Sequence, residues 1–149
     1  MWKKGNKVKT ENYVFDSQKE FLFFDRFLKK YDDAQNSEFI VKIHPNYEII
    51  EKFKISGITI RGANFKPDFV IEDRQGNLLH VYDVKNGFSA YAIDAACKLR
   101  FKLFTKRYGV PVECAIVRKN DFKVKIYGTT KKTEIHVFKD INYDWRKVV

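Results

Sequence analysis

Cysteine, proline and glycine are scarce in this sequence of 149 residues, which contains 2 Cys, 3 Pro and 7 Gly. So little proline and glycine excludes collagen-like and proline-rich chains. Cys97 and Cys114 occur without any export context and are expected to be reduced thiols of the core. No stretch reaches the roughly 18 apolar residues of a membrane span. No apolar segment follows the basic residues 1–7, so no secretory signal is predicted and a cytoplasmic, intracellular protein is expected.

The composition that remains is typical of a folded domain. Hydrophobic residues make up 44% of the chain and aromatic residues 16%, which excludes a disordered chain. No repeat, low-complexity tract or Gly/Ser linker divides the sequence. We therefore predict a flexible basic N-terminal arm over residues 1–12 and a single domain over residues 13–149.

The chain is basic, and its charge is unevenly distributed. Lys and Arg number 29 against 19 Asp and Glu, which gives a formal net charge of +10. Residues 1–85 carry 15 basic and 13 acidic side chains, whereas residues 86–149 carry 14 and 6. A positive field of this size favours a polyanion such as nucleic acid, or an acidic membrane surface. Charge alone leaves open a basic protein without either partner.

The pattern of apolar residues predicts a mixed α/β domain with the order α-β-β-β-β-α-β-β-β. A first helix is predicted over residues 17–31, where Ser17 and Glu20 match a capping box. A second helix is predicted over residues 89–108, ended by Gly109. β-Branched and aromatic residues predict strands over 39–43, 47–55, 65–72, 78–85, 112–118, 122–127 and 133–138, and residues 58–61 are expected to continue the second of these after Gly57.

The pattern that indicates chemistry is Pro67-Asp68, followed after fourteen residues by Asp83-Val84-Lys85. Side chains two apart in a strand share a face, so Asp83 and Lys85 point the same way, and a hairpin would bring Asp68 beside them. Two close carboxylates favour a cation between them. Oxygen ligands suit Mg²⁺ or Mn²⁺, and the lysine can polarise water or neutralise charge on a phosphate. The alternative is a strand start and a surface ion pair.

A third carboxylate is predicted near this group. Glu20 falls inside the apolar arc of the first helix, one turn before Phe24 and two before Phe27. It is either a capping residue alone or a carboxylate directed from the helix into the same metal site, and both roles are compatible.

These residues resemble the PD-(D/E)XK nuclease superfamily over roughly residues 16–117. The resemblance implies a restriction-endonuclease-like fold, a mixed β-sheet flanked by α-helices. It implies that Asp68, Asp83 and Glu20 bind the metal and that Lys85 assists the attacking water. Asp83 stands where Glu is commoner. The layout is similar to small phage and prophage proteins of this superfamily, and Holliday junction resolvases are among its small members.

Basic residues after the motif are candidates for DNA binding. Lys98 and Lys102 form a ridge on the second helix, which either flanks the active-site cleft and holds phosphates or is an ordinary solvated lysine ridge. The side of this helix predicted to face the sheet consists of Ala92, Ala95, Ala96, Leu99 and Leu103. Further candidates for phosphate contacts are Arg118, Lys119, Lys131 and Lys132. The alternative is that these four are ordinary charged residues of loops.

The histidines do not form a zinc site with the cysteines, since none has ligand spacing. Structural roles are expected for all three, although His44 lies near a strand end where it could touch the site. His80 is expected on the opposite face from Lys85.

The leading hypothesis is a Mg²⁺-dependent DNA endonuclease acting on branched DNA such as a four-way junction, in recombination or DNA processing. Symmetric cutting of two strands implies a homodimer. No membrane partner and no organic cofactor are expected. The alternatives are a nicking, restriction-like or single-strand nuclease, and a non-catalytic DNA-binding module of the same fold.

Overall fold

The computed structural model describes residues 6–149 and has a mixed α/β fold. Its helices are α1 (Gln18–Phe23) and α2 (Ala95–Tyr108). The strands in chain order are β1 (Val8–Lys9), β2 (Val14–Phe15), β3 (Phe39–Ile43), β4 (Tyr47–Ile50), β5 (Phe53–Ile55), β6 (Ile58–Ile60), β7 (Ala63–Phe65), β8 (Phe69–Asp73), β9 (Leu78–Val84), β10 (Val112–Val117), β11 (Phe122–Lys125) and β12 (His136–Phe138). No helix among the described residues is long and apolar enough to cross a membrane.

The central sheet has six strands in the order β12-β11-β10-β9-β8-β3. β9 and β10 are parallel, and the other neighbours are antiparallel. The parallel pair needs a crossover, and α2 supplies it between β9 and β10. This arrangement confirms the predicted mixed α/β fold class.

The sheet separates two hydrophobic clusters. Phe23 and Phe27 pack with Tyr82 and Phe122 on the face that α1 covers. On the other face, the residues from α2 pack with Val70, Val81 and Val112 of the sheet. Because successive side chains of a strand alternate between faces, each central strand contributes to both clusters. Cys97 and Cys114 are free and buried in the second cluster, as predicted.

The first helix changes its hydrogen-bonding pattern along its length. Ser17 caps α1, since its side chain accepts a hydrogen bond from the backbone N–H of Glu20. The helix then continues as a π-helical segment at Phe24–Leu28 and a 3₁₀ turn at Lys29–Tyr31. The predicted extent to residue 31 is therefore confirmed in a form that the 3.6-residue periodicity did not distinguish.

α2 differs from the prediction in its start and in its buried face. Asp94 caps it, so it begins at Ala95 and not near residue 89, while Gly109 ends it at φ 79° as predicted. Leu99, predicted to face the sheet, is 57% exposed, whereas Phe101 and Phe104 are buried. The helix is apolar on two sides. The aromatic side is the one that packs against the protein, because it buries more area than the alanine side.

The predicted N-terminal arm is partly ordered. Val8–Lys9 pairs with Val14–Phe15 in a two-stranded ribbon. Residues 1–5 lie outside the described residues.

Candidate active site

The four predicted site residues come together at one edge of the central sheet, the edge formed by strand ends and not by an outer strand. β9 ends there at Val84, and β8 begins there at Phe69, just after Asp68. Phe69 pairs with Tyr82, and the N–H of Asp68 donates to the carbonyl of Tyr82 (3.1 Å). Asp68 therefore lies across from Asp83, as the predicted hairpin required.

Asp83 and Lys85 form an ion pair on the α2 side of the sheet. Lys85 Nζ donates to Asp83 Oδ2 at 2.9 Å, and Asp83 is buried. Burial favours the neutral amine, but the charge of Asp83 and its hydrogen bond outweigh burial and raise the pKa of Lys85 above its ordinary value. The ammonium group of Lys85 is thus held by the carboxylate of Asp83 at the end of β9.

Asp68 is held in a position that disfavours its charged form. Its Oδ2 accepts a hydrogen bond from the N–H of Val84 (2.7 Å). Burial is the main reason that the pKa of Asp68 lies well above its usual range, and the hydrogen bond to Glu20 and the charge of Asp83 raise it further. Asp68 thus lies against the carboxyl groups of both Glu20 and Asp83, and Asp83 is paired with the ammonium group of Lys85.

Glu20 is both a capping residue and a member of this cluster. Its Oε2 accepts a hydrogen bond from the N–H of Asp16 (2.7 Å), and its side chain is buried. Burial raises the pKa of Glu20, but the contacts with His44 and Asp68 and the hydrogen bond from Asp16 outweigh burial and lower it to about 2. Glu20 thus accepts a hydrogen bond from the backbone just before the helix and also lies against Asp68.

His44 and Asp16 belong to the same edge, and neither was among the predicted site residues. His44 Nε2 is buried without a hydrogen-bond partner, 3.4 Å from Glu20 Oε2 and 3.5 Å from Asp16 Oδ2. The backbone of His44 has φ 50°, a left-handed conformation that is uncommon outside glycine. Its position before Pro45 at a strand end was the available signal, together with the DSQKE sequence that surrounds Ser17.

The donor groups at this edge are of the kinds that bind divalent cations, but the group found close enough to share one ion among the described residues contains Glu20 and neither Asp68 nor Asp83. Glu20, Asp68 and Asp83 provide the hard carboxylate oxygens that Mg²⁺ and Mn²⁺ prefer. One ligand atom from each of Asp16, Glu20 and His44 lies within 4.8 Å of the other two. The orphaned His44 Nε2 is a further donor directed at this position, and Glu20 belongs to both sets.

Two clefts meet at Lys85. The first, of about 590 Å³, contains Asp83 and Lys85 and is bordered by the polar side chains of Asn46, Asn64, Lys66 and Arg100; we call it the Arg100 cleft. The second, of about 520 Å³, also contains Lys85 and is bordered by Lys19 and Tyr91; we call it the Tyr91 cleft. Tyr91 is 88% exposed. A groove with basic side chains therefore extends from Lys85 in two directions.

The predicted lysine ridge of α2 lies elsewhere. Lys98 Nζ lies 5.5 Å from the centre of the Tyr127 ring, and the side chain of Lys102 packs against Gly128. Neither lysine is among the residues that line the two clefts, and the buried face of α2 is the aromatic one. With this face of α2 buried, Arg100 is the basic residue of the helix that borders the Arg100 cleft.

The four loop residues predicted to contact phosphates differ in their surroundings. Arg118 is engaged by the carboxylate of Asp121 through both Nε and Nη2. Lys119 is exposed in the loop that follows β10, at the sheet edge where β9 also ends. Lys131 and Lys132 are exposed in the segment after Gly128.

His80 has the structural role expected for it. It is buried on the α1 face, and its Nδ1 lies 2.6 Å from Glu113 Oε2. Tyr143 donates to the other oxygen of Glu113 at 2.7 Å and shares a 2.8 Å hydrogen bond with the hydroxyl of Tyr82. This network connects the C-terminal segment to the sheet.

The family described as "Protein of unknown function (DUF1064)" matches residues 2–124, and the chain belongs to it. The matched region contains every member of the acidic cluster, Lys85, His44 and both clefts, and it ends before Lys131. No curated protein matches the chain, and no solved structure matches it.

Proposed function

We propose that this member of the family is a Mg²⁺-dependent DNA endonuclease, with Mn²⁺ as the alternative metal. The observation that carries the proposal is the Lys85–Asp83 ion pair of 2.9 Å beside two further carboxyl groups, Asp68 and Glu20, at the junction of two clefts. The resemblance to PD-(D/E)XK nucleases assigns the same four residues. Metal-assisted phosphodiester hydrolysis is the chemistry that this set of groups supports.

In this proposal the acidic residues hold the metal, and Lys85 acts on the substrate. Asp68, Asp83 and Glu20 are its ligands, with His44 and Asp16 completing or orienting the set. The bound cation would supply Lewis-acid activation of water and of the phosphate. Lys85 remains protonated beside Asp83, so its role is to donate a hydrogen bond to a phosphate oxygen and to neutralise the negative charge that grows there.

The two clefts would hold the DNA strand on either side of the scissile phosphate. Arg100 and Lys66 offer charge-assisted hydrogen bonds to phosphates in one direction, and Lys19 does so in the other. Asn46 and Asn64 add neutral donors. These contacts carry no sequence information, so the proposal implies recognition of DNA shape and backbone.

Branched DNA is the substrate that we favour. The ring of Tyr91 is exposed beside Lys85, and an exposed aromatic ring stacks on base faces that a branch point or a single strand leaves uncovered. A four-way junction also requires two symmetric cuts, which implies a homodimer. A nicking, restriction-like or single-strand nuclease is the alternative within the same chemistry, and a non-catalytic DNA-binding module is the alternative outside it.

A cleavage assay tests the proposal. Labelled duplex, single-stranded and four-way-junction DNA are incubated with the protein in Mg²⁺, in Mn²⁺ and in EDTA. Asp83→Ala is compared with Asp25→Ala, which removes an exposed carboxylate that pairs with Lys29 on the helix surface. We expect metal-dependent cleavage that prefers the junction, survives Asp25→Ala and is lost in Asp83→Ala.

Each part of the proposal fails on a different result. Binding without cleavage of any of the three DNAs leaves a non-catalytic module as the function. Equal cleavage of duplex and junction contradicts the preference for branched DNA. Unchanged cleavage by Asp83→Ala shows that the assigned site is wrong.

A further inference from the structure

The segment between β4 and β7 is a protruding β-ribbon with two chemically different faces. β5 and β6 pair through Phe53 with Ile60 and through Ile55 with Ile58. A two-residue turn joins them, with positive φ at Ser56 (46°) and Gly57 (79°), which matches the twist of a tight hairpin. All residues from 51 to 61 are exposed.

One face of this ribbon is entirely apolar. Because cross-strand partners share a face and side chains alternate along each strand, Phe53, Ile55, Ile58 and Ile60 all lie on the same side. Their exposed fractions are 42%, 56%, 59% and 39%. We call this surface the ribbon face. The pair Lys54 and Thr59 lies on the opposite side.

The base of the ribbon is fixed to the body of the protein. Tyr47 of β4 packs edge-to-face on Phe104 at 5.2 Å, and Phe65 of β7 packs on Phe101 at 5.6 Å. The hydroxyl of Tyr108 donates to the carbonyl of Glu48 at 2.7 Å. The ribbon face is therefore presented from a rigid base, next to the residues that border the Arg100 cleft.

The exposed ribbon face has the properties of an interaction surface. A two-stranded sheet is marginal in water until its apolar face is packed against something, and large exposed apolar patches mark interaction sites. The ribbon face carries no charged group, and Lys54 lies on the other side, so this is the wrong face for a polyanion. A second identical apolar face is a chemically matched partner, since a two-fold axis can place the same patch on both sides of the interface.

We propose that the ribbon face packs against the ribbon face of a second copy of this chain. Half-exposed Phe and Ile side chains present roughly 100 Å² each, so the interface would bury about 400 Å² per copy and about 800 Å² in the pair. Stable interfaces usually bury about 1,200–2,000 Å². The pair is therefore a weak dimer whose population rises with protein concentration, with the Lys54 sides facing outward.

The meaning of this dimer rests on the proposed function, but its existence does not. Since each ribbon base borders an Arg100 cleft, joining two ribbons would relate two candidate cleavage sites by a two-fold axis. That is the arrangement which symmetric cutting of branched DNA requires. Measurements of mass do not depend on cleavage, so the two proposals fail on different results.

Sedimentation or light scattering over about 1–300 µM protein tests the pairing. We expect the mass to rise from 17.7 kDa toward about 35 kDa, twice the mass of one chain. The double variant Ile55→Thr/Ile58→Thr keeps β-branched residues but removes apolar area, so its association should weaken at least tenfold. Lys54→Thr, on the opposite side of the same ribbon, should dimerise like the wild type.

A crosslink provides the second test. Ile58→Cys places a thiol on the ribbon face and should form a disulfide-linked dimer under mild oxidation, whereas Thr59→Cys places it on the opposite side and should not. Cys97 and Cys114 are buried, so the new thiol is the accessible one in each variant. A wild type that stays monomeric at 300 µM overturns the proposal. So does equal crosslinking of the two variants, or an Ile55→Thr/Ile58→Thr protein whose only defect is weaker DNA binding, which would assign the ribbon to nucleic acid.

Discussion

His44 Nε2 lies 3.4 Å from Oε2 of Glu20 and hydrogen-bonds to neither it nor Asp16. The same residue donates its backbone N–H to the carbonyl of Asp68 at 3.0 Å. The Glu20 contact raises the pKa of His44, against the opposing effect of burial. The end of β3, the start of α1 and the start of β8 therefore meet at one point, and His44 connects all three.

The two roles of Glu20 can be separated by mutation. Ser17→Ala removes the helix cap but leaves the carboxylate of Glu20, so it should cost about 0.5–2 kcal/mol of unfolding free energy and affect cleavage less than Glu20→Gln. Glu20→Gln keeps a hydrogen-bond acceptor for Asp16 but removes the charge, so cleavage should fall at least tenfold. Urea unfolding and cleavage rates are measured on both. Loss of stability with intact cleavage in Glu20→Gln would reduce Glu20 to a capping residue.

Divalent cations should stabilise the protein through the acidic cluster. A ligand that binds only the folded state at 100 times its Kd adds about 2.7 kcal/mol, so Mg²⁺ or Mn²⁺ should raise Tm relative to EDTA. Asp68→Asn should abolish this rise. Its stability in EDTA should equal or exceed that of the wild type, because asparagine replaces a carboxyl group whose charged form burial disfavours. Undiminished metal stabilisation in Asp68→Asn would contradict the ligand assignment.

Arg100 should contribute to DNA binding more than the lysine ridge of α2. Arg100→Ala should weaken binding several-fold and reduce the slope of log K against log salt by about one, as expected for one lost phosphate contact. Lys102→Ala is the matched control on the same helix, where the side chain packs on Gly128, and its affinity should change less than twofold. Fluorescence anisotropy at several salt concentrations distinguishes the two. A larger effect of Lys102→Ala would restore the original prediction.

Tyr91 should favour DNA with accessible base faces. Stacking on an aromatic side chain contributes about 1–3 kcal/mol per base, so Tyr91→Ala should reduce cleavage of junction or single-stranded DNA about 5- to 100-fold relative to duplex. Tyr91→Phe keeps the ring and should behave like the wild type. Cleavage rates on the three DNAs are compared under single-turnover conditions. An equal loss on duplex would assign Tyr91 to general backbone binding.

The buried network around Glu113 should contribute to stability but not to cleavage. Tyr143→Phe leaves the fully buried Glu113 without one of its hydrogen-bond donors, which should cost about 1–3 kcal/mol. Tyr13→Phe removes a hydrogen bond to Asp32 at the surface and should change stability by about 0.5 kcal/mol or less. Urea unfolding of both variants provides the comparison, and a similar cost for the two would argue against the network.

Local patterns predicted the elements that carry the candidate site. Phe39–Ile43 is a strand with the predicted bounds, and the alternation of strand side chains places Asp83 and Lys85 on one face. The turn between β8 and β9 then brings Asp68 across from Asp83. These features depend on residues close in sequence, whose periodicity and turn chemistry can be read directly.

Whether the apolar strands between residues 47 and 61 are buried or exposed could not be predicted in this way. Their β-branched residues are as typical of a buried strand as those of β8, yet every residue of β5 and β6 is exposed. Burial depends on which other element arrives to cover a face, and a strand pattern does not contain that information.

The sequence by itself determined the pairing of Asp83 with Lys85, the hairpin that adds Asp68 and the excess of positive charge, because each follows from neighbouring residues or from composition. Only the tertiary structure decided that His44 and Asp16 join Glu20, that Arg100 rather than Lys98 reaches the cleft, and that the ribbon face stays uncovered. These outcomes depend on strand order and on the competition between two apolar sides of α2. Such choices are made by the total area that the packed elements bury together.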